Sequence, residues 1–303
     1  MHLKELDFIK SFGSALPIET KKLIEEKDFT YNLSNGLERD IILRIIKKID
    51  NDTHIIGSQE QKSRWESEWS KTLEDFIKSK YSFKALVPKF FRKDLPLRFN
   101  QEFIISSNSN FELDFYEIIR DWLFRTYFKK YSCIHEFGCG SGFNLAALAT
   151  IYPDKFLRGY DYSESSVALL NRIRDVYGFK MKAKNFDIRN PNWDIKLGPD
   201  SVVFTIGAIE QLAGNFGEFL DYLIWNKPEL CIHIEPIIEL YDKYNLIDYL
   251  AIKFHRKRGY TEGFLTQLRY MEQHKMAYIE KIKRLYFGSL YIEGYMIIIW
   301  RPL

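Results

Sequence analysis

Residues 136–142 carry the side chains and the spacing best suited to bind a ligand. Glu136 is followed by Gly138, Gly140 and Gly142, with an apolar run before the segment and a helical pattern after it. Glycine allows positive φ angles and lets the backbone approach a ligand closely. A helix that starts at Gly142 points free N–H groups and its positive dipole end toward that ligand. The segment therefore predicts a strand, a tight turn and a helix around a nucleotide-like molecule.

The spacing of the glycines separates two classes of nucleotide-binding turn. The dinucleotide fingerprint Gly-x-Gly-x-x-Gly needs a third glycine where this chain has Phe143. An acidic residue followed by Gly-x-Gly-x-Gly is similar instead to the motif of class I methyltransferases that use S-adenosylmethionine. This resemblance implies that Glu136, the glycine backbone and the adjacent Asn144 hold the methionine portion of that cofactor. A tight turn without a ligand is the structural alternative.

Further candidates for cofactor binding follow the next strands. Asp161 lies about 20 residues on, where an acidic residue binds ribose hydroxyls in dinucleotide folds. Ser163, two residues on, is a further candidate for cofactor binding. The alternative is that Asp161 or Ser163 caps the following helix. The resemblance implies that Asp187, with Ile188, faces the adenine, although aspartate is also common in loops. Gly207 ends the fourth strand and is small enough for close contact with the cofactor.

Candidates for catalysis lie at the ends of the fourth and fifth strands. Glu210 and Gln211 follow the fourth strand, where they are expected to face the transferable methyl group or the substrate. Glu235 ends the fifth strand, and strand alternation places it on the same side as His233. Because an amine or hydroxyl acceptor loses a proton, we predict that Glu235 is a base or binds substrate. His233 lies deeper and is predicted to be a core residue.

One basic cluster, at residues 253–258, precedes Gly259. Gly259 is typical of a helix C-cap, and cations near a helix C-terminus complement its dipole. The functional interpretation is that His255, Arg258 and Tyr260 contact an anionic substrate, with His255 as a further catalytic candidate. Both interpretations stay open, for different members of the cluster.

The elements that position these residues change in type near residue 130. Before it, residues 38–49, 59–81 and 111–130 show helical periodicity. We predict an N-terminal α-helical cap or substrate domain over residues 1–114 and a catalytic domain that binds S-adenosylmethionine over residues 115–303.

Strands alternate with helices from residue 132 to residue 258, which predicts a parallel sheet covered on both faces. The segments 278–284 and 295–300 are strand-like with no helix between them, so they are expected to pair antiparallel. The predicted fold is α/β, with a Rossmann-like, seven-stranded, mostly parallel sheet and an antiparallel C-terminal hairpin. This layout resembles that of the class I methyltransferases.

Two tryptophans and two arginines connect the predicted cap to the site. Trp65 and Trp69 lie on one helical stripe and are expected to pack between the cap and the catalytic domain. By analogy with other helical caps, Arg64 and Arg98 are candidates for substrate selection.

Composition excludes several other classes. The chain of 303 residues has a net charge of +3, with 28% charged residues, which gives no electrostatic case for nucleic-acid binding. The odd number of cysteines, three, argues against a disulfide framework, and no Cys/His spacing predicts a metal site. With no signal peptide and no apolar run of about 20 residues, a cytoplasmic protein without a membrane partner is expected. The sequence does not indicate the oligomeric state.

These patterns predict an enzyme, a methyltransferase that uses S-adenosylmethionine to methylate an oxygen or nitrogen of a small molecule. The segments 234–236 and 254–260 resemble a bacterial subgroup tied to sugar or secondary-metabolite modification. The alternatives are a protein or RNA methyltransferase and a non-catalytic protein that binds S-adenosylmethionine. The Asn-Pro-Pro-Tyr type motif of base methylation is absent after the fourth strand, where residues 207–210 stand.

Overall fold

The structure is a computed structural model that describes residues 1–56, 59–198 and 200–303, with no side chains described for residues 59–61. Its α-helices are α1 Glu5–Phe12, α2 Ile18–Glu25, α3 Glu38–Asn51, α4 Gln59–Lys78, α5 Phe111–Leu123, α6 Phe143–Ile151, α7 Glu164–Tyr177, α8 Gly217–Asn226, α9 Leu246–Arg258 and α10 Phe264–Gln273. Its strands are β1 Tyr31–Leu33, β2 Leu97–Phe99, β3 Glu102–Ser106, β4 Cys133–Phe137, β5 Phe156–Asp161, β6 Met181–Asn185, β7 Ser201–Ile206, β8 Leu230–Glu235, β9 Ala277–Arg284, β10 Phe287–Gly288 and β11 Met296–Pro302. None of the described helices combines the length and the apolar character needed to cross a bilayer.

Seven strands form one sheet in the order β6-β5-β4-β7-β8-β11-β9. The five strands from β6 to β8 are parallel, and β11 runs antiparallel to both of its neighbours. The prediction of a mostly parallel seven-stranded sheet with an antiparallel C-terminal hairpin is confirmed. The strand order reverses between β4 and β7, and open α/β sheets bind ligands at such a reversal, beyond the carboxyl ends of the strands.

Strand alternation divides the core between the two faces of this sheet. In β8, Ile232 and Ile234 belong to one apolar cluster, whereas Cys231 belongs to the other. All six residues of β8 are buried, as expected for a strand with helices on both faces. His233 is fully buried among them, beside Phe264 and Trp300, as predicted for a core histidine.

The N-terminal part contains helices, as predicted, and also a small sheet that the prediction missed. Strands β1, β3 and β2 pair antiparallel, and β10, which lies far along the chain, adds to the edge at β2. Phe115 of α5 stacks on Phe287 of β10 with ring centroids 3.8 Å apart. The predicted boundary between residues 114 and 115 falls within α5, and this division into domains stays a prediction.

A buried ion network joins three elements at the antiparallel end of the sheet. The Arg284 guanidinium of β9 donates to Asp248 of α9 at 2.6 and 2.7 Å, and to Glu293 at 2.6 and 2.8 Å. Burial lowers the pKa of Arg284, but its hydrogen bonds to the two carboxylates outweigh this and raise the pKa above its ordinary value. The network fixes the segment that leads from Glu293 to Tyr295, at the start of β11.

The contrast between buried and exposed ion pairs gives a test of this network. Glu293→Gln leaves the buried Arg284 with one carboxylate, and we expect a loss of about 3 kcal/mol in the free energy of unfolding. Glu262 pairs with Arg256 at the surface, at 3.1 Å. Glu262→Gln is therefore expected to cost less than about 1 kcal/mol. Urea denaturation of both variants measures the difference, and equal losses contradict the structural role of Glu293.

Candidate active site

A cavity of about 420 Å³ lies at the carboxyl ends of β4, β5 and β7. Its lining includes most of the predicted site residues, namely Glu136, Gly138, Gly140, Asn144, Asp161, Asp187, Ile188, Gly207, Glu210, Gln211, Arg258 and Tyr260. Gly142, Ser163, Glu235 and His255 were also predicted and do not line it. Helix α4 and residues 88–97 of the N-terminal part contribute to the lining as well.

The three glycines of the turn after β4 all have positive φ, at 73° for Gly138, 51° for Gly140 and 73° for Gly142. A Cβ on Gly138 would lie 2.4 Å from the Cβ of Ala208, and one on Gly140 would lie 2.8 Å from the ring of Trp69. The backbone therefore stays bare where it faces the cavity. Gly142 is needed for packing instead, because a Cβ there would lie 2.5 Å from Leu170 of α7.

Glu136, at the end of β4, is 1% exposed and has one unpaired oxygen. Its Oε1 accepts from Asn144 Nδ2 at 2.7 Å, and Asn144 Oδ1 accepts from the Tyr116 hydroxyl at 2.6 Å. Its buried Oε2 has no partner among the described residues. Burial raises the pKa of Glu136 to about 8. A cationic ligand group in the cavity would satisfy this oxygen and restore the ionised carboxylate.

Asp161, at the tip of β5, is tied to the glycine turn. Its Oδ2 accepts from the Gly140 amide at 2.9 Å and its Oδ1 from the Ser163 amide at 3.0 Å. Burial raises its pKa to about 6. The hydroxyl of Ser163 caps α7 through the Ser166 amide at 3.2 Å and donates to Glu66 at 2.6 Å. Ser163 is thus a helix cap that does not line the cavity, and its predicted cofactor contact is not supported.

Asp187 lines the cavity and is held by two cations that the sequence analysis missed. It accepts from Arg189 Nε at 3.0 Å and from Nη2 at 2.8 Å, and Lys62 Nζ of α4 lies 3.5 Å away. Burial raises the pKa of Asp187, but the hydrogen bonds from Arg189 outweigh burial and lower it. Arg189 lies two residues after Asp187 in the sequence, and this short spacing was the available signal that the two side chains pair.

Two carboxyl groups with raised pKa values stand in the cavity beyond the glycine turn. Glu210 accepts from Gln211 Nε2 at 2.7 Å, and burial followed by the charge of Glu235 raises its pKa to about 8. Glu112 of α5 accepts from the Tyr295 hydroxyl at 3.1 Å, and burial raises its pKa to about 7. The pair of Glu112 and Tyr295 was not predicted. Its signal is the helical spacing of Glu112 from Tyr116 and Ile119, at i+4 and i+7, which puts this glutamate on the buried face of α5.

Glu235 and His255, two of the three predicted catalytic residues, lie outside the cavity. Glu235 is 1% exposed, and its oxygens accept from Thr205 Oγ1 at 2.7 Å, Ala208 N at 3.0 Å and Glu210 N at 3.3 Å. His255 is fully buried, and its Nε2 contacts the carbonyl of Thr261 at 2.8 Å. These placements do not support catalytic roles. Glu235 holds the loop that carries Glu210, which makes it a positioning residue.

The residues of the basic cluster divide between the end of α9 and the cavity. Gly259 ends α9 with φ at 67° and caps it, as the structural interpretation requires. Arg258 and Tyr260 line the cavity, and Arg258 Nη1 donates to the Tyr260 hydroxyl at 3.0 Å.

Of the cap residues, Trp65 and Trp69 stack with centroids 5.3 Å apart and line the cavity, as does Arg64. Arg98 is fully buried and donates to the carbonyls of Leu290 and Ile247, so it is a structural residue that does not face the cavity.

The raised pKa of Glu235 gives a pH-dependent test of its structural role. Burial raises this pKa to about 7, above the ordinary value of 4.5. The folded state then holds the proton more tightly, so the contribution of Glu235 to stability is full below about pH 4.5 and is lost as the pH rises toward about 7.

We expect Glu235→Gln to make the fall in unfolding free energy from about pH 5 to about pH 8 shallower, by on the order of 2 kcal/mol. Glu218→Gln, on the exposed side of α8, is the control and keeps the wild-type slope. Urea denaturation across this pH range measures both, and an unchanged slope in Glu235→Gln contradicts the assignment.

No protein-family model matches the sequence, and neither does any curated protein. Among solved structures, the chain is similar to the N,N-8-amino-8-demethyl-D-riboflavin dimethyltransferase RosA from Streptomyces davawensis, at 12% identity and a TM-score of 0.45 over 64% of this chain and 56% of RosA. It is also similar to human N-acetylserotonin methyltransferase, at 12% identity and a TM-score of 0.42 over 64% of this chain and 56% of that enzyme. The small RNA methyltransferase HEN1 aligns at 19% identity and a TM-score of 0.45, over 66% of this chain and 28% of HEN1.

The chain thus spans just over half the length of the first two proteins, and likenesses this distant assign no activity to it. The topology of the chain itself identifies its fold. The strand order, which the sequence did not predict, runs outward from β4 to β6, returns across β4 to β8 and ends with an antiparallel β11 between β8 and β9. With the glycine turn after β4, this order gives the chain a Rossmann-like α/β fold, as predicted.

Proposed function

We propose that this chain is a methyltransferase that uses S-adenosylmethionine to methylate an oxygen or nitrogen of a small molecule. The observation that carries the proposal is the buried, unpaired Oε2 of Glu136, which stands beside a bare glycine backbone at the edge of the cavity. A buried carboxyl oxygen without a partner costs free energy, which a cationic group of a ligand recovers.

The residues at the strand tips fit the parts of this cofactor in turn. Glu136 offers a carboxylate to the ammonium group of the methionine portion, and Asp161 offers one to the ribose hydroxyls. Asp187, Ile188 and Gly207 line the part of the cavity that remains for the adenine. When bound, the cofactor supplies an electrophilic methyl group on a sulfonium. The protein binds and orients the two reactants and excludes water.

Removal of the proton from the acceptor falls to a carboxyl group in the cavity. Glu210 was predicted for this task, and Glu112 joins it as a second candidate. Burial raises the pKa of Glu210 to about 8 and that of Glu112 to about 7. Their carboxylates are therefore stronger bases than exposed carboxylates. The hydroxyl of Tyr295 lies 3.1 Å from Glu112 and orients it.

The lining of the cavity favours a small acceptor. Helix α4 and residues 88–97 line it opposite the strand tips, so cofactor and acceptor share a volume of about 420 Å³. This lies within the range of small-molecule sites. A cytoplasmic location and the absence of a nucleic-acid partner remain parts of the proposal. No observation favours a protein or RNA acceptor.

The glycine turn gives a direct test of the cofactor site. Gly140→Ala places a Cβ 2.8 Å from Trp69, in the lining of the cavity, so we expect affinity for S-adenosylhomocysteine to fall at least tenfold. Gly178→Ala is the matched control, because Gly178 also has positive φ, at 69°, but has no atom within 4 Å of such a Cβ. Both substitutions carry the same backbone strain, of about 1 kcal/mol. Calorimetry compares them, and equal affinities contradict the proposed site.

A second test separates the two carboxylates by the part of the cofactor that each one binds. Glu136→Gln is expected to weaken S-adenosylhomocysteine about tenfold and to leave 5′-methylthioadenosine, which lacks the amino-acid portion, unaffected. Asp161→Asn is expected to weaken both compounds, because both contain the ribose. Calorimetric titrations measure the four affinities. If Glu136→Gln weakens both compounds equally, Glu136 does not bind the amino-acid portion.

A further inference from the structure

One part of the cavity is rich in cations. Lys48 of α3, Arg64 of α4 and Arg258 of α9 all line the cavity, together with His54. Burial lowers the pKa of His54, and the charges of Arg64, Arg258 and Lys48 lower it further, as expected for cations near its imidazole. We call these four side chains the basic subsite.

The carboxylates near the basic subsite do not neutralise it. The buried Asp52 pairs with two cations at once, because its Oδ2 lies 2.8 Å from Arg258 Nε and 3.4 Å from Lys48 Nζ. Glu68, one turn along α4 from Arg64, also lines the cavity, but no ion pair joins it to a described cation. Arg64 likewise has no carboxylate partner in the described part of the chain, and its guanidinium lies 5.8 Å from the ring of Trp65.

The charge of the whole cavity points the same way. Seven of its described lining residues are Lys or Arg and six are Asp or Glu. Three of these six, Glu112, Glu136 and Glu210, have pKa values raised by burial to between about 7 and about 8. Burial therefore leaves a substantial fraction of these three carboxyl groups protonated near neutral pH, so the cavity has a net positive charge.

Three contacts fix the orientation of the Arg258 guanidinium. Asp52 accepts from its Nε at 2.8 Å and the Tyr260 hydroxyl from its Nη1 at 3.0 Å, while its guanidinium lies 4.5 Å from the ring of Phe254. Its Nη2 has no hydrogen-bond partner among the described residues and stays available as a donor. A guanidinium fixed on one side presents its free N–H groups in the geometry that carboxylate and phosphate groups match.

The walls of the basic subsite are aromatic. Phe254 stacks on Tyr291 with centroids 4.9 Å apart, and both line the cavity with Tyr260 and Trp65. Flat apolar surfaces next to fixed cations suit a ligand that has an apolar or ring-shaped body and an anionic end.

We propose that the methyl acceptor carries an oxyanion group, a carboxylate or a phosphate, and that Lys48, Arg64 and Arg258 bind this group. That this ligand is the methyl acceptor rests on the proposed function. Anion binding at the basic subsite does not depend on which cofactor is bound. The oxyanion anchors the acceptor at one end of the cavity and leaves its nucleophile to reach toward Glu210 and Glu112.

Three small probes of matched size test the proposal by calorimetry with the full chain loaded with S-adenosylhomocysteine. Phenyl phosphate and benzoate carry the two candidate oxyanions, and benzyl alcohol is their neutral counterpart. We expect at least one anion to bind about tenfold more tightly than benzyl alcohol, and the stronger of the two identifies the kind of oxyanion. Equal affinities for all three probes overturn the proposal.

Matched variants place the binding at the basic subsite. Arg64→Gln and Lys48→Gln are expected to weaken the preferred anion by roughly five- to tenfold, as expected for the loss of one charged hydrogen bond, and to leave benzyl alcohol unaffected. Lys47→Gln removes the same charge from the exposed neighbour of Lys48, and it is expected to bind like the wild type. If Lys47→Gln weakens the anion as much as Lys48→Gln does, the effect comes from overall charge and the subsite is refuted.

The titration of S-adenosylhomocysteine alone keeps the two proposals separate. Suppose that S-adenosylhomocysteine binds the wild type, Arg64→Gln and Lys48→Gln equally, and that neither anion binds more tightly than benzyl alcohol. The acceptor proposal then fails and the proposed function stands. If S-adenosylhomocysteine does not bind, the same anion titrations are run on the chain alone. Anion binding that depends on Arg64 and Lys48 then supports the subsite, while the proposed function fails.

Discussion

The burial of the Glu136 carboxyl group at the end of β4 is the constraint on which the site depends. Its Oε1 is bound by Asn144 of α6, which in turn is bound by Tyr116 of α5, so three elements meet on one side of the carboxyl. The other oxygen is left unpaired toward the cavity. Since an unpaired buried carboxylate is costly, the free protein favours the protonated form, and a cationic ligand favours the ionised form. Packing at this point thus creates both the shape and the charge preference of the cofactor site.

The N-terminal part completes this site. Trp69 of α4 lies where a side chain on Gly140 would lie, so the ring closes the glycine turn from above the strand tips. Glu66, one turn earlier on α4, accepts from Ser163 and Ser165 at the N-terminus of α7, where a carboxylate also meets the positive end of the helix dipole. Helix α4 is thereby held against the second strand–helix unit. The N-terminal part therefore forms part of the wall of the cavity.

The sequence predicted the seven-stranded sheet well because each strand and helix has a strong local pattern. It did not predict how deeply a side chain is buried, or turns with unusual residues. The hairpin between β2 and β3 turns at Asn100 and Gln101, both with positive φ, at 50° and 61°. Such turns are usually signalled by Asn-Gly, and a glutamine at the second position hid this one. Alternation along β8 predicted which side Glu235 faces, but not that the loop after β7 covers it. The beginning of α9 at Leu246 depends on capping by Asn245, whose Oδ1 accepts from two amides, and apolar periodicity does not reveal this start.

The glycine turn and the basic subsite differ in how their charges are held. At the glycine turn, the buried carboxyl group of Glu136 has one oxygen without a partner among the described residues, so it gains most from a cation. At the basic subsite, Arg258 and Lys48 share one buried carboxylate, so they gain most from an anion. Under the proposed function, a sulfonium cofactor is repelled from the basic subsite and attracted to Glu136, and an anionic molecule has the opposite preference. Charges interact strongly in a cavity of low dielectric, so the groups that bind each reactant also disfavour the other reactant at the same place. Glu112 and Glu210 line the same cavity, so under the proposed function their carboxyl groups are available to the acceptor atom that receives the methyl group.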